Sequence, residues 1–314
     1  MTLKITRRAV MGGLPMAAGL VGARAGAAAA DQSCAFLALG DWGRDGAPIQ
    51  RAVAEQMGRA AQEVHSRFIV ALGDNFYPRG VQSVSDDHWR LAFEDVYTAS
   101  SLQTPWYALL GNHDYRGVPQ AQIDYAAVSS RWRMPNRYYA VEGASRDTPW
   151  MDLLMLDTSP LAMKAGQDPS SMTRPEAGQD PRAQLDWLDR ELARSTAPLK
   201  IVFGHHTVFS GSPTHGDNPR LIESLSPIFE RRGVTAYICG HDHDLQHIRI
   251  GAVDYVCSGA GSEARQTGRR EGTLFAAGYP GFAVFSATAG GLGLQFRDAA
   301  GATRYAAHVP TRGL

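Results

Sequence analysis

The sequence predicts an α/β protein built as a two-sheet β sandwich with flanking helices, and three observations point to that class. Over residues 34–239, short apolar runs alternate with segments of helical spacing, the rhythm of βαβ units. Past His247 the rhythm changes to strand patterns separated by Gly-rich turns, which predicts a second sheet packed on the first. Finally, 314 residues that are 44% hydrophobic, 20% charged and 9% aromatic are enough for one large core. That composition excludes disordered, collagenous and coiled-coil chains.

The elements follow in order. Residues 35–39 read as a buried strand. Ile49, Val53, Met57, Ala61 and Val64 then recur at helical spacing, with Pro48 suited to the first turn. Strands are predicted over 68–72, 106–110 and 151–156, and a helix over 87–97. Asp180 before Pro181 is a helix cap and first position, with Leu185, Leu188 and Leu192 on one face. A strand over 200–203, a helix over 220–231 that Pro227 kinks, and a strand over 235–239 complete this half. The second half reads as strands over 248–250, 255–257, 282–286, 292–296 and 303–308. Residues 160–180, rich in Gly, Pro and Ser, form a long loop within one domain, because strand and helix patterns continue on both sides.

Residues 1–30 are a different kind of sequence. Lys4, Arg7 and Arg8 precede a weakly apolar Gly/Ala run over 9–22, followed by Arg24 and the small residues Ala27 to Ala30. This is the layout of an export signal, and the Arg7-Arg8 pair resembles the twin-arginine type read by machinery that exports folded proteins. A periplasmic or secreted location follows, with residues 31–314 as the single mature domain. The run is shorter than the roughly 20 apolar residues a bilayer needs, so no stable membrane span is expected. Removing the four basic residues leaves a mildly acidic chain. With 31 basic and 31 acidic residues overall, no basic field predicts a nucleic-acid partner. Cys34, Cys239 and Cys257 lack paired metal spacing and read as buried thiols, a bridge between the last two staying open. Oligomeric state is not encoded legibly.

In open α/β sheets, functional groups gather just past the carboxyl ends of the strands. Five predicted strands end in polar clusters, each opening with glycine: Gly40-Asp41-Trp42-Gly43, Gly73-Asp74-Asn75-Phe76-Tyr77, Gly111-Asn112-His113-Asp114, Gly204-His205-His206 and Gly240-His241-Asp242-His243. Seven of the ten histidines fall in or just after these clusters, a concentration that surface decoration does not explain. Oxygen and nitrogen donors without thiolate suit iron, zinc or manganese. Enough donors are present for two ions, and two cations about 3.5–4 Å apart clamp a phosphoryl group while activating water. Metal-assisted phosphoester hydrolysis is therefore the leading chemistry.

The five clusters, in this order and spacing, resemble the calcineurin-like metallophosphoesterases over most of residues 34–286. More narrowly they are similar to the small single-domain purple acid phosphatases of the tartrate-resistant type. The broad family usually carries a ligand histidine two residues after the first Asp; that position here is Gly43, while Tyr77 completes a tyrosinate-type motif. The resemblance implies that Asp41, Tyr77 and His243 bind Fe(III). It assigns Asn112, His205 and His241 to a second, divalent ion (Fe, Zn or Mn), with Asp74 bridging. His113 would contact substrate phosphate, its ring oriented by Asp114. His215, ten residues past His205, would protonate the leaving group, and His206 departs from the aromatic common in the family. The implied activity is acid hydrolysis of small phosphomonoesters by metal-bound hydroxide, with a phosphodiesterase of the same fold or a non-catalytic metal- or phosphate-binding protein as alternatives.

Other residues have plainer readings. Trp42, Phe76, Trp106 and Phe209 are either walls of the site or core; His247 is a structural strand-end residue; His65, His88 and His308 are either solvated or at the edge of the core. Arg265, Arg269 and Arg270 read as a solvated loop. Asp157 is read equally as a turn residue or as a support for the site.

Overall fold

The computed structural model describes residues 33–141, 148–162 and 179–311. The predicted export signal and most of the 160–180 loop lie outside the described residues. Among the described residues the strands are, in chain order, β1 Cys34–Leu39, β2 Phe68–Ala71, β3 Trp106–Ala108, β4 Trp132–Arg133, β5 Tyr139–Ala140, β6 Met151–Met155 and β7 Leu199–Phe203. They continue with β8 Ala236–Cys239, β9 Leu245–Ile250, β10 Val253–Ser258, β11 Thr273–Ala277, β12 Gly281–Thr288, β13 Gly291–Asp298 and β14 Thr303–Pro310.

Two mixed sheets result. The first has the order β14-β13-β12-β1-β2-β3-β4, and the second β11-β9-β10-β8-β7-β6-β5. Strands β1 to β4 run parallel, as do β6, β7, β8 and β10. The strands past His247 do not form the second sheet by themselves, contrary to the sequence reading. β9 to β11 extend the parallel core of the second sheet, whereas β12 to β14 return to the first, with Phe36 opposite Phe285. The reason is burial: Phe36, Leu37, Ala38 and Leu39 are all 0% exposed, so β1 needs a hydrogen-bonded neighbour on both sides and cover on both faces.

Side-chain alternation divides the interior into two cores. Leu153, Ile201, Phe203 and Ile238 face the first sheet, where Phe36 and Phe203 approach to 6.2 Å between ring centroids. Their neighbours Leu154, Val202 and Tyr237 face outward into a second core with Leu188, Leu225 and Phe229 of the helices Pro181–Arg194 and Pro219–Arg232. Asp180 caps the first of these helices through the N–H groups of Arg182 and Ala183, and Asn218 caps the second through Leu221. On the first sheet, helix Pro48–Glu63 buries Val53, Met57 and Ala61.

The helix predicted over 87–97 is instead a short π-helical turn, Trp89–Glu94, followed by an Asp95 N–H that reaches the Arg90 carbonyl at 2.9 Å. The wider turn lets Trp89 stack on Tyr125 at 3.5 Å while Phe93 packs against Trp106 and Trp132. Among the described residues no helix is long and apolar enough to cross a membrane.

Candidate metal centre

The carboxyl ends of β1, β2 and β3 in one sheet and of β7 and β8 in the other deliver the five glycine-led clusters to one place. Three of the delivered residues pay for their position in backbone conformation: Asp41, Asp74 and His241 have φ of 59°, 47° and 73°. A left-handed non-glycine residue costs on the order of 1 kcal/mol and persists only where its surroundings fix it. Here they do. The His241 N–H donates to Asp41 Oδ2 at 2.8 Å, the His113 N–H to Asp74 Oδ1 at 2.7 Å, and the Asp41 N–H to the Gly73 carbonyl at 3.0 Å.

Glycine is required where these turns touch. A Cβ at Gly111 would lie 2.2 Å from Asp74 Oδ1, and one at Gly43 only 1.9 Å from the Asn75 carbonyl oxygen. The second contact explains why no histidine stands at position 43: the backbone of the next cluster occupies the space.

The side chains fall into two overlapping groups. In one, Tyr77 Oη is 2.9 Å from both Asp41 Oδ1 and Asp74 Oδ2 and 3.2 Å from His243 Nε2, which is 3.4 Å from Asp41 Oδ1. In the other, Asn112 Oδ1 is 3.2 Å from His205 Nε2 and 3.1 Å from His241 Nδ1, these two nitrogens are 3.2 Å apart, and His205 Nε2 is 3.5 Å from Asp74 Oδ1. Asp74 belongs to both. An ion with ligands at about 2.1 Å separates neighbouring ligand atoms by roughly 3.0–3.4 Å, so the donor spacing fits two cations.

Electrostatics supports the same fit. Asp41, Asp74, Tyr77, His205 and His243 are all buried, and Asp41, Asp74 and His205 bring ligand atoms within 4.8 Å of one another. Burial and the carboxylates of Asp41 and Asp74 push the Tyr77 phenol well above its ordinary range. Burial also opposes the Asp74 carboxylate, but His205 and His113 outweigh it and hold that group below its usual value. Burial, with His206 and His205 alongside, drives His241 well below an ordinary histidine, leaving a neutral ring with a lone pair to offer. His205 is oriented by its Nδ1, which donates to the Leu72 carbonyl at 2.9 Å and leaves Nε2 facing the centre.

Two histidines stand at the mouth. His113 Nδ1 donates to the Pro78 carbonyl at 2.8 Å, with Nε2 4.0 Å from Asp74 Oδ2. Asp114 does not orient this ring, as the sequence suggested it would. Its buried carboxylate accepts from the N–H groups of Gly111 and Asn75 and from Gln122, tying two of the turns together, and burial with Asp74 nearby lifts it to about 7. His215 stacks on His241 at 4.1 Å and sets its Nδ1 2.6 Å from Asp242 Oδ1. Asp242 also accepts from the Ser210 hydroxyl. The sequence reading gave Asp242 no role although it lies between two cluster histidines; only the fold shows which ring it serves. A cleft of about 220 Å³ lined by Thr207, His215, Asn218, Arg220 and His241 opens beside it.

His206 is buried against His241, and its Nδ1 meets Thr158 Oγ1 at 2.9 Å. That hydroxyl already accepts from the N–H groups of His205 and His206, so its proton points to the His206 ring. The remaining candidates lie elsewhere. His247 bonds Asp254 at 2.6 Å within β9 and β10. Trp42, Phe76 and Trp106 are core, and Phe209 packs on Tyr255 beneath Arg270. Asp157 accepts from Tyr115 and lies 4.0 Å from Arg137. Arg265 pairs with Glu263 and Arg270 with Asp217. All three cysteines are buried and free, so no 239–257 bridge is present.

Comparison with known proteins agrees with this geometry. Residues 35–245 match the calcineurin-like phosphoesterase family. Tartrate-resistant acid phosphatase type 5 of rabbit (Oryctolagus cuniculus) is 42% identical over 236 residues, covering 72% of each chain. Purple acid phosphatase 4 of Arabidopsis thaliana is 39% identical over 241 residues, 74% of this chain and 70% of that one. Among solved structures, GAP50, the anchor in the inner membrane complex of Plasmodium, superposes with a TM-score of 0.77 at 22% identity over 90% of both chains, a likeness of fold alone. Two mixed sheets, five convergent strand ends and these relatives lead to one assignment: the chain belongs to the calcineurin-like phosphoesterase family, in its purple acid phosphatase branch.

Proposed function

We propose that this chain is an exported acid phosphatase that hydrolyses small phosphomonoesters at a binuclear metal centre, acting in the periplasm or outside the cell. The observation that carries the reading is the pair of donor groups sharing Asp74, with His113 and His215 at their mouth. Asp41, Tyr77 and His243 would hold Fe(III), and Asn112, His205 and His241 a divalent Fe, Zn or Mn ion, with Asp74 between. When bound, the two cations supply Lewis acidity that acidifies water and offsets charge on the phosphoryl group.

The protein's own groups do the rest. His113, its Nδ1–H committed to Pro78, offers Nε2 to a phosphate oxygen. His215, its Nδ1–H committed to Asp242, offers Nε2 to the departing oxygen as proton donor. Burial of Asp41, Asp74, His205 and His243 limits water to the open side of the centre.

Elemental analysis and a visible spectrum of the wild type and Tyr77→Phe test the reading, together with parallel rates on a monoester and a diester. Two metals per chain, an absorption band lost in Tyr77→Phe and faster monoester turnover are the expected results. A colourless, iron-free, fully active protein removes the iron–tyrosinate half. A large diester preference overturns the substrate class, and tight phosphate binding without turnover of any ester makes the chain a binding protein. For export, an Arg7→Lys/Arg8→Lys variant is expected to stay in the cytoplasm.

A further inference from the structure

Arg44 belongs to neither donor group, yet its guanidinium carbon lies 4.0 Å from the centroid of the Tyr77 ring. Its position is built rather than incidental. Nε donates to Ser262 Oγ at 3.1 Å and Nη2 to Glu263 Oε2 at 2.6 Å. The Arg44 N–H is held by Gln50 Oε1 at 3.0 Å. Ser262 in turn donates to the Asp41 carbonyl at 2.6 Å, so the arginine is tied to the turn that carries a candidate ligand. The other oxygen of Glu263 is 2.9 Å from Arg265 Nε and 3.6 Å from His243 Nδ1, a nitrogen without a hydrogen-bond partner among the described residues.

A cation over an aromatic face is attracted by the ring's quadrupole, and the attraction grows when the ring carries negative charge. A planar guanidinium can stack on the ring and fill two hydrogen bonds at its edge at once; an ammonium cannot do both. The ring face is the nearer partner of Arg44, whereas the oxygen that would bind metal is at the ring edge, toward Asp41 and Asp74.

We infer that Arg44, clamped by Ser262 and Glu263, is a positioning residue that fixes the Tyr77 ring and tunes it as an iron-bound phenolate. The inference rests on the reading of Tyr77 as an iron ligand. Charge transfer from phenolate to ferric iron moves an electron away from the guanidinium, which opposes that movement and raises the transition energy. Removing the guanidinium therefore shifts the band to longer wavelength, an effect that loss of simple packing does not produce with a defined sign.

The test is the visible spectrum, read per bound iron, of metal-loaded Arg44→Ala, Arg44→Lys and Glu263→Gln beside the wild type and Tyr77→Phe. The expected result is a shift to longer wavelength in Arg44→Ala, part of it recovered in Arg44→Lys, and a smaller shift to shorter wavelength in Glu263→Gln, which keeps an acceptor for Arg44 but removes the negative charge that offsets the guanidinium. Purple wild type and colourless Tyr77→Phe with an unmoved maximum in Arg44→Ala would overturn this inference and leave the iron–tyrosinate reading intact. Colour that survives in Tyr77→Phe overturns both. Should Arg44→Ala fail to fold, Arg44→Lys and Glu263→Gln carry the test, and unmoved maxima in both overturn it equally.

Discussion

His215 is 35% exposed at the mouth of the centre, and what distinguishes it from a surface histidine is the Asp242 carboxylate 2.6 Å from its Nδ1. That bond fixes which nitrogen carries the proton to be handed on. If His215 is the proton donor, Asp242→Asn should lower turnover of an alkyl phosphate by at least tenfold, part of the roughly 10²–10⁴ that general acid catalysis contributes. It should slow p-nitrophenyl phosphate little, because p-nitrophenolate departs without a proton. Metal content is measured alongside, and equal losses on both substrates would remove the role. A second prediction concerns Asp157, which burial raises from 3.8 to about 6 despite the Tyr115 hydroxyl and Arg137 that face it. A carboxyl with a raised folded pKa binds its proton more tightly in the native state, so stability is lost as pH rises from about 4 to 6. The shift corresponds to about 3 kcal/mol at most. Asp157→Asn keeps a neutral acceptor for Tyr115. It should match the wild type near pH 4 and exceed it at pH 7, as followed by denaturant melts; a difference flat across that range would be the contrary result.

At the scale of the element, the turns after β1 and β2 are locked together, because the Tyr77 N–H donates to the Gly43 carbonyl at 2.7 Å and a Cβ at 43 collides with Asn75. Gly43→Ala should therefore push the turn carrying Tyr77 outward. About 3 kcal/mol of stability is expected to be lost, with a weakened visible band in the metal-loaded protein. Retention of both would show that the turn yields cheaply. These turns were legible in the sequence because each is local: an apolar run, a glycine, then polar residues within four positions. The partnership of strands was not. Phe36 opposite Phe285 joins distant parts of the chain, and no periodicity records it. β11 escaped notice because only partly buried and exposed residues make it up. The π-helical turn at Trp89–Glu94 follows from aromatic partners as far away as Trp132, and Arg44 sits in a loop where spacing carries no signal.

For the molecule as a whole, the two donor groups straddle the sandwich. Asp41, Asp74, Tyr77 and Asn112 follow strands of the first sheet, whereas His205, His241 and His243 follow strands of the second. Cations bound there would join the sheets at their rim just as Phe36 and Phe203 join them in the core. Because these donors are assembled only in the folded chain, metal binding adds to folding stability by mass action, about 2.7 kcal/mol at a hundredfold excess over the dissociation constant. For a domain of this size that corresponds to about 5 °C in Tm. Chelation should lower Tm by that amount and metal return should restore it. Asp74→Asn, which removes the residue shared by both groups, should lose most of the metal-linked shift, whereas Asp157→Asn should keep it. Calorimetry of the three proteins with and without metal decides the matter: equal melting of the stripped and loaded wild type would mean that the sheets are held by their apolar core alone.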